Sequence, residues 1–294
     1  MPSTSHVHHA PQGKWPRAAL IVAHPGHELR VHGWLEAARP RVCVLTDGSG
    51  RTGRSRLDST TSVLDAAGAR TGSVYGSLSD GRLYAAVLER EHAPFKRIVE
   101  ELAAMLVRER VEFVAGDAEE GYNPSHDICR LIVNAAVRLA SRTTPVPIAN
   151  YDFTLVSPTG HCPEHLRADS IRFDLDEAAF ARKLSAAHNY PELRAEVEAA
   201  LGGAGSAGFR EHPDLARQAG QNFGGACAND FHVEWLRPVA DDGAPSPEES
   251  RARPFYETYG ERQVQAGHYQ RVLRYREHVL PLAAALDAHV ERLS

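Results

Sequence analysis

The side chains best able to do chemistry fall in two short stretches. His24-Pro25-Gly26-His27-Glu28 puts two histidines on a Pro/Gly turn, a backbone that can aim both imidazoles at one point without helical spacing. Gly121-Tyr122-Asn123-Pro124-Ser125-His126-Asp127 adds a third, His126, at the expected start of a helix. Three neutral imidazoles leave the fourth position of a tetrahedral zinc ion open for water, which is the arrangement of a catalytic centre. Taken alone, His24 and His27 also fit a turn that carries solvated or capping histidines.

The elements around these stretches are those of an α/β protein. Arg17 to Ala23 reads as a buried strand that stops at His24, Leu29 to Ala38 as a helix closed by Pro40, and Arg41 to Thr46 as a second buried strand. A Gly-rich loop, Asp47-Gly48-Ser49-Gly50 through Gly53, leads to a helix from Ser59 to Gly68. Ser73 to Leu78, Val111 to Ala115 and Pro147 to Val156 are further extended segments, separated by helices at Pro94 to Arg110 and Ser125 to Ser141. Alternation of this kind implies βαβ units and a doubly wound, mostly parallel, Rossmann-like sheet, whose ligands bind outside the carboxyl ends of the strands. Both histidine stretches and Asp47 fall at such ends.

Beyond about Cys162 the pattern changes to helices at Leu175 to Ala187, Pro191 to Leu201 and Gly267 to Leu293, the last kinked or divided at Pro281. Between them lie a flexible Gly202 to Ser206 loop and an acidic linker at Ala240 to Ser250. The expected division is a disordered tail at 1–16, an α/β core at 17–166 and a mainly helical extension at 167–294 packed on that core. The aromatic run Phe255 to Gly260 would supply that packing.

Composition narrows the partners. The 294 residues carry 33 Lys and Arg against 38 Asp and Glu, so no global positive field draws nucleic acid or an anionic membrane. No apolar run approaches the ~20 residues of a membrane span, and the N-terminus lacks the apolar core of a secretory signal, so the expectation is a cytoplasmic protein. Cys43, Cys129, Cys162 and Cys227 form no C-x-x-C pair and read as reduced thiols. His6, His8, His9, His161, His165, His188, His212, His232 and His268 lack ligand spacing.

Ala23-His24-Pro25-Gly26-His27-Glu28 resembles the A-H-P-D-D-E opening of the PIG-L/LmbE family of zinc-dependent deacetylases, which act on N-acetylglucosamine-type amines. Thr46-Asp47-Gly48, with Arg56 before a helix ending at Ala67-Gly68, resembles the family's next feature, and Asn123-Pro124-Ser125-His126 its later H-P-D-H. The resemblance covers roughly the first half of the chain. It implies a zinc held by His24, His27 and His126, an acylated amine or amino-sugar substrate, and a substrate contact for Arg56. Gly26 stands where the family has its general base, His27 where it has a ligand Asp, and Asn123 where a His steadies the oxyanion. Asn123 can donate a hydrogen bond there but supplies no proton.

A positioned base contributes about 10²–10⁴-fold. Zinc on three histidines lowers its water to a pKa of about 7, which makes a zinc-bound hydroxide available without a carboxylate and offsets part of that loss. Glu28 and Asp127 are the nearest substitute bases in sequence, and Glu28 equally suits an orienting or helix-start role. Arg56, with Arg51 and Arg54, also fits a solvated loop, and Asp47 fits fixing the turn or a ligand His as well as touching substrate. The expected activity is removal of an N-acyl group from an amino sugar or related small amide. A non-catalytic, zinc-retaining binding module and another zinc hydrolysis on the same scaffold are the alternatives, and a homo-oligomer is compatible with either.

Overall fold

The computed structural model describes residues 8–9, 15–50, 52–156, 162–194, 197, 231–239 and 253–293. The strands among them are β1 (His8–His9), β2 (Ala18–Val22), β3 (Arg41–Thr46), β4 (Arg70–Leu78), β5 (Phe113–Asp117), β6 (Ala149–Phe153), β7 (Ile171–Asp174) and β8 (Val233–Pro238). They form one sheet in the order β1-β7-β8-β6-β5-β2-β3-β4. From β4 through β3, β2 and β5 to β6 every pairing is parallel, whereas β8 runs antiparallel to both β6 and β7.

The helices are α1 (His32–Ala38), α2 (Leu57–Ala67), α3 (Asp80–Leu88), α4 (Ala93–Arg108), α5 (Pro124–Ser141), α6 (Glu177–His188), α7 (Phe255–Gln265) and α8 (Leu280–Arg292). The period-2 alternation of the buried strands divides them into two layers. Ala19, Ile21, Cys43 and Leu45 face a core built with α3, α4, α5 and α8, and Leu20, Val22, Val42 and Val44 face one shared with α1 and α2. Strands apolar on both faces can sit only between two helical layers, which makes the sheet doubly wound. After β2 the chain moves outward to β3 and β4, then crosses back to place β5 on the other side of β2. The crevice at the carboxyl ends of β2 and β5 is therefore the switch point of the sheet.

Several expectations change. Residues 80–88 are helical, with the Ser79 hydroxyl capping the Arg82 N–H, where no helix was read because its apolar face is short. The mainly helical region 167–294 also holds two strands: β7 and β8 extend the sheet, β8 through a run too short and mixed to announce itself. The tail expected to be disordered up to residue 16 includes β1, paired with β7, and a buried Trp15 packed among Trp34, Phe113 and Phe173. The helix expected from Leu29 begins as a 3-10 turn, His27–Val31, and becomes α-helical at His32. The helix expected from Gly267 starts later and is divided as expected near Pro281: a π-helical turn, Tyr275–Val279, runs directly into α8, with Pro281 at the junction. The Gly202 to Ser206 loop, the Ala240 to Ser250 linker, Cys227 and most of the Pro191 to Leu201 helix lie outside the described residues. Cys43, Cys129 and Cys162 are free and buried. Among the described residues no helix is long and apolar enough to cross a membrane.

Candidate metal and catalytic site

β2 ends one residue before Ala23 gives way to His24, and the chain turns at Gly26, whose φ of 103° is a left-handed conformation that suits glycine. The turn delivers His24 and His27 to the switch point, and the first turn of α5 delivers His126 from beyond β5. Their ring centroids stand 5.3 Å (His24 to His27), 5.4 Å (His24 to His126) and 4.7 Å (His27 to His126) apart. Imidazoles bound through nitrogen at about 2.0–2.1 Å in a tetrahedron would have centroids about 5 Å apart. The donor atoms themselves are not drawn to one point, since no three His, Cys, Asp or Glu side chains among the described residues form a finished metal centre. The spacing of the three rings is therefore what points to a shared site.

Hydrogen bonds beneath the rings decide which nitrogens are available. His27 Nδ1 lies 2.9 Å from Asp117 Oδ2, which also accepts the Ala23 N–H at 2.7 Å. His24 Nδ1 lies 2.8 Å from the Thr46 hydroxyl and 3.0 Å from Asp80 Oδ1. Because Thr46 donates to the Ala23 carbonyl at 3.1 Å, it accepts from His24. Both imidazoles are thus held as Nδ1–H tautomers that keep Nε2 as the lone-pair nitrogen, the usual carboxylate-supported arrangement of metal-binding histidines. His126 differs, for its buried Nδ1 has no hydrogen-bond partner. A buried polar atom without a partner is costly, and coordination to a metal is one way of satisfying it. Burial lowers the pKa of His27 and, further, of His126, where the two neighbouring imidazoles add to the effect, so both rings are neutral at neutral pH. In Asp80 burial works against ionisation, but the hydrogen bonds from His24 Nδ1 and the Gly50 N–H hold the carboxyl well below the usual carboxylate range.

The two candidates for a substitute base are committed elsewhere. Glu28 is fully buried, its oxygens accepting the Gly26 N–H at 2.8 Å and the Thr60 hydroxyl at 2.8 Å. Burial pushes its pKa up to about 7, yet the group closes the histidine turn from behind. Asp127, also buried, accepts the Glu120 and Gly121 N–H groups through Oδ1 at 3.2 Å each and ties down the loop before Asn123. Both are anchors of the loops that carry the histidines. Asp47 is one as well, capping the Ser49 N–H at 2.9 Å. Arg56 lays its stem beside Gly48 and Pro25, so a Cβ at Gly48 would meet Arg56 Cδ at 3.2 Å, and among the described residues its guanidinium has no hydrogen bond or ion pair. Asn123 caps α5, its carboxamide oxygen accepting the Ser125 N–H at 2.9 Å.

Sequence reasoning missed Asp80, Asp117, Tyr84 and Leu193. Asp117 carried a signal, a charged residue closing the apolar run Phe113 to Gly116, and Ser79 before Asp80 has the look of a helix cap. Leu193 carried none: it packs against Gly26 from more than 160 residues away, a contact only the tertiary fold creates.

No family model matches the chain, and no curated protein matches it in sequence. Solved structures similar to it in fold include the following two. The zinc-inhibited form of teicoplanin deacetylase Orf2 is 12% identical over 76% of this chain and 97% of its own, with a TM-score of 0.49. The conserved protein TT1542 from Thermus thermophilus is 17% identical over 81% of this chain and 100% of its own, with a TM-score of 0.47.

Proposed function

We propose that the chain is a zinc-dependent hydrolase that removes an N-acyl group from an amino sugar or related small amide, with His24, His27 and His126 as the metal's protein ligands. The observation that carries this reading is the triangle of imidazoles, two anchored through Nδ1 and the third with a buried, unpartnered Nδ1, at the switch point of the sheet. When bound, the ion supplies Lewis acidity toward a carbonyl and makes water nucleophilic near neutral pH.

The protein's own contributions follow from the hydrogen bonds. Asp117 and the Thr46–Asp80 pair fix the tautomers and orientations of His27 and His24. Asn123 offers its carboxamide N–H groups to the carbonyl oxygen as negative charge builds on it, a donor role worth about 10²–10³-fold where it is well placed. Arg56, with an uncommitted guanidinium beside Pro25, holds a polar or anionic part of the substrate. No side chain at residue 26 takes the proton from water, and Leu193 fills the space beside it.

One observation favours the non-catalytic alternative, a zinc-retaining binding module: the carboxylates Glu28, Asp80, Asp117 and Asp127 are each bonded to backbone or to a histidine. Metal analysis combined with hydrolysis assays on N-acetylated amines separates the two readings. Stoichiometric zinc with release of acetate supports the hydrolase; stoichiometric zinc with no turnover across the panel supports the binding module.

A further inference from the structure

We propose that Tyr84 is a positioning residue for Asn123, locking its carboxamide so that the N–H₂ group alone remains to be offered beside His126. The chemical consequence rests on the hydrolase reading; the locking itself does not. Asn123 Oδ1 accepts two hydrogen bonds, from the Ser125 N–H at 2.9 Å and from the Tyr84 hydroxyl at 3.2 Å. A backbone N–H is only ever a donor, so the atom facing Ser125 must be the oxygen, and the amide's orientation follows without ambiguity. Tyr84 reaches that same oxygen and must therefore donate. Burial raises the pKa of its hydroxyl far above the ordinary tyrosine value, which keeps the donor proton in place.

Two donors on one carbonyl polarise the amide and make its N–H groups better donors in turn. The group received beside His126 is then an acceptor oxygen, such as that of an acyl carbonyl, and not an N–H or a cation. Tyr84 stands one helical turn after Asp80 on α3, and Asp80 supports His24. A single helix thus steadies one histidine of the triangle and the neighbouring hydrogen-bond donor.

The test substitutes Tyr84→Phe, which keeps the buried ring and removes only the hydroxyl. Side-chain amide NMR of Asn123, assigned by its loss in Asn123→Ala, should show the Cγ resonance moving upfield and, because the N–H groups lose acidity, slower base-catalysed Nδ2 proton exchange in Tyr84→Phe. Unchanged shift and exchange would overturn the proposal whether or not the protein has any activity. With zinc-loaded protein and p-nitroacetanilide as the probe, Tyr84→Phe should lower kcat about 3–10-fold at constant KM and have no further effect in an Asn123→Ala background. Equal losses in both backgrounds would contradict positioning through Asn123. Absence of turnover in the unsubstituted protein would count against the hydrolase reading and leave the NMR result to decide the locking. Should Tyr84→Phe fail to fold, Asn123→Asp serves in its place. Its carboxylate accepts from both Ser125 and Tyr84 but donates nothing, so a stable protein with a Tyr84 hydroxyl proton still protected from exchange is expected, and a rapidly exchanging hydroxyl overturns the proposal.

Discussion

A Cβ on Gly26 would stand 2.3 Å from Cδ1 of Leu193 and 3.6 Å from Cζ of Tyr190. The turn that follows α6 thus occupies the volume a side chain at residue 26 would need. Tyr190 continues the plug inward, its hydroxyl 2.9 Å from Thr60, which donates to Glu28. Gly26, Leu193 and Tyr190 form one packed unit.

Gly26→Asp should therefore destabilise the fold by about 1–3 kcal/mol, from a side chain forced into a left-handed backbone and from overpacking against Leu193. Leu193→Ala in the same chain should restore part of the loss. Urea unfolding of the single and double variants measures both, and an unshifted midpoint for Gly26→Asp would show that the leucine swings aside freely.

Asp117→Asn leaves the β5 backbone in place but weakens the support of His27 Nδ1. Zinc affinity should fall about 10–100-fold, as is usual when the partner of a metal-binding histidine is altered. Competition against a chromogenic chelator reports it. An unchanged affinity would mean that His27 is not a ligand or does not depend on Asp117.

Lys183 and Glu234 form a buried ion pair at 2.8 Å, and Glu234 also accepts the N–H groups of Gly33 and Trp34 at 2.9 Å. The pair joins α6 and β8 to the start of α1, a few residues after His27. Lys183→Met strands the carboxylate and should cost about 3–5 kcal/mol. A calorimetric loss near zero would indicate that water reaches Glu234 and replaces the lysine.

Burial lowers the pKa of His32, whose Nδ1 is buried without a hydrogen-bond partner. Below the ordinary histidine pKa of about 6.5 the unfolded chain binds a proton that the folded one resists, so folding stability declines as the pH falls through this range and levels off above it. In metal-free protein His27 and His126 act in the same direction. His32→Gln should flatten the slope between about pH 5 and 7. A slope as steep as before would assign the acid sensitivity to the other histidines.

The sheet was legible because its strands are short, β-branched and apolar on both faces. Ala18 to Val22 and Arg41 to Thr46 admit few other readings, and the histidine stretches follow directly at strand ends. β8 was not, because Val233 to Pro238 mixes Glu234 and Arg237 into a short edge-side strand whose role is set by its partners. In the candidate site, the three histidines could be named from their places at strand ends, and Asn123 from the motif resemblance. The residues that orient them could not, since Asp80, Asp117 and Tyr84 act across 56, 90 and 39 positions of sequence on His24, His27 and Asn123. Glu28 and Asp127 misled for the complementary reason: adjacency to a histidine in sequence says nothing about which backbone N–H groups a carboxylate will close upon.

In the proposed function His24, His27 and His126 hold one metal ion together. Zinc titration of the metal-free protein, followed by calorimetry and checked by elemental analysis, tests it on the unsubstituted chain and on His126→Ala, the variant whose removed ring has no hydrogen bond through Nδ1 to lose. One equivalent of tightly bound zinc in the unsubstituted protein, and loss of that tight site in a still-folded His126→Ala, is the expected result. An unsubstituted protein that binds no zinc, or a His126→Ala protein that binds it equally well, would contradict the claim.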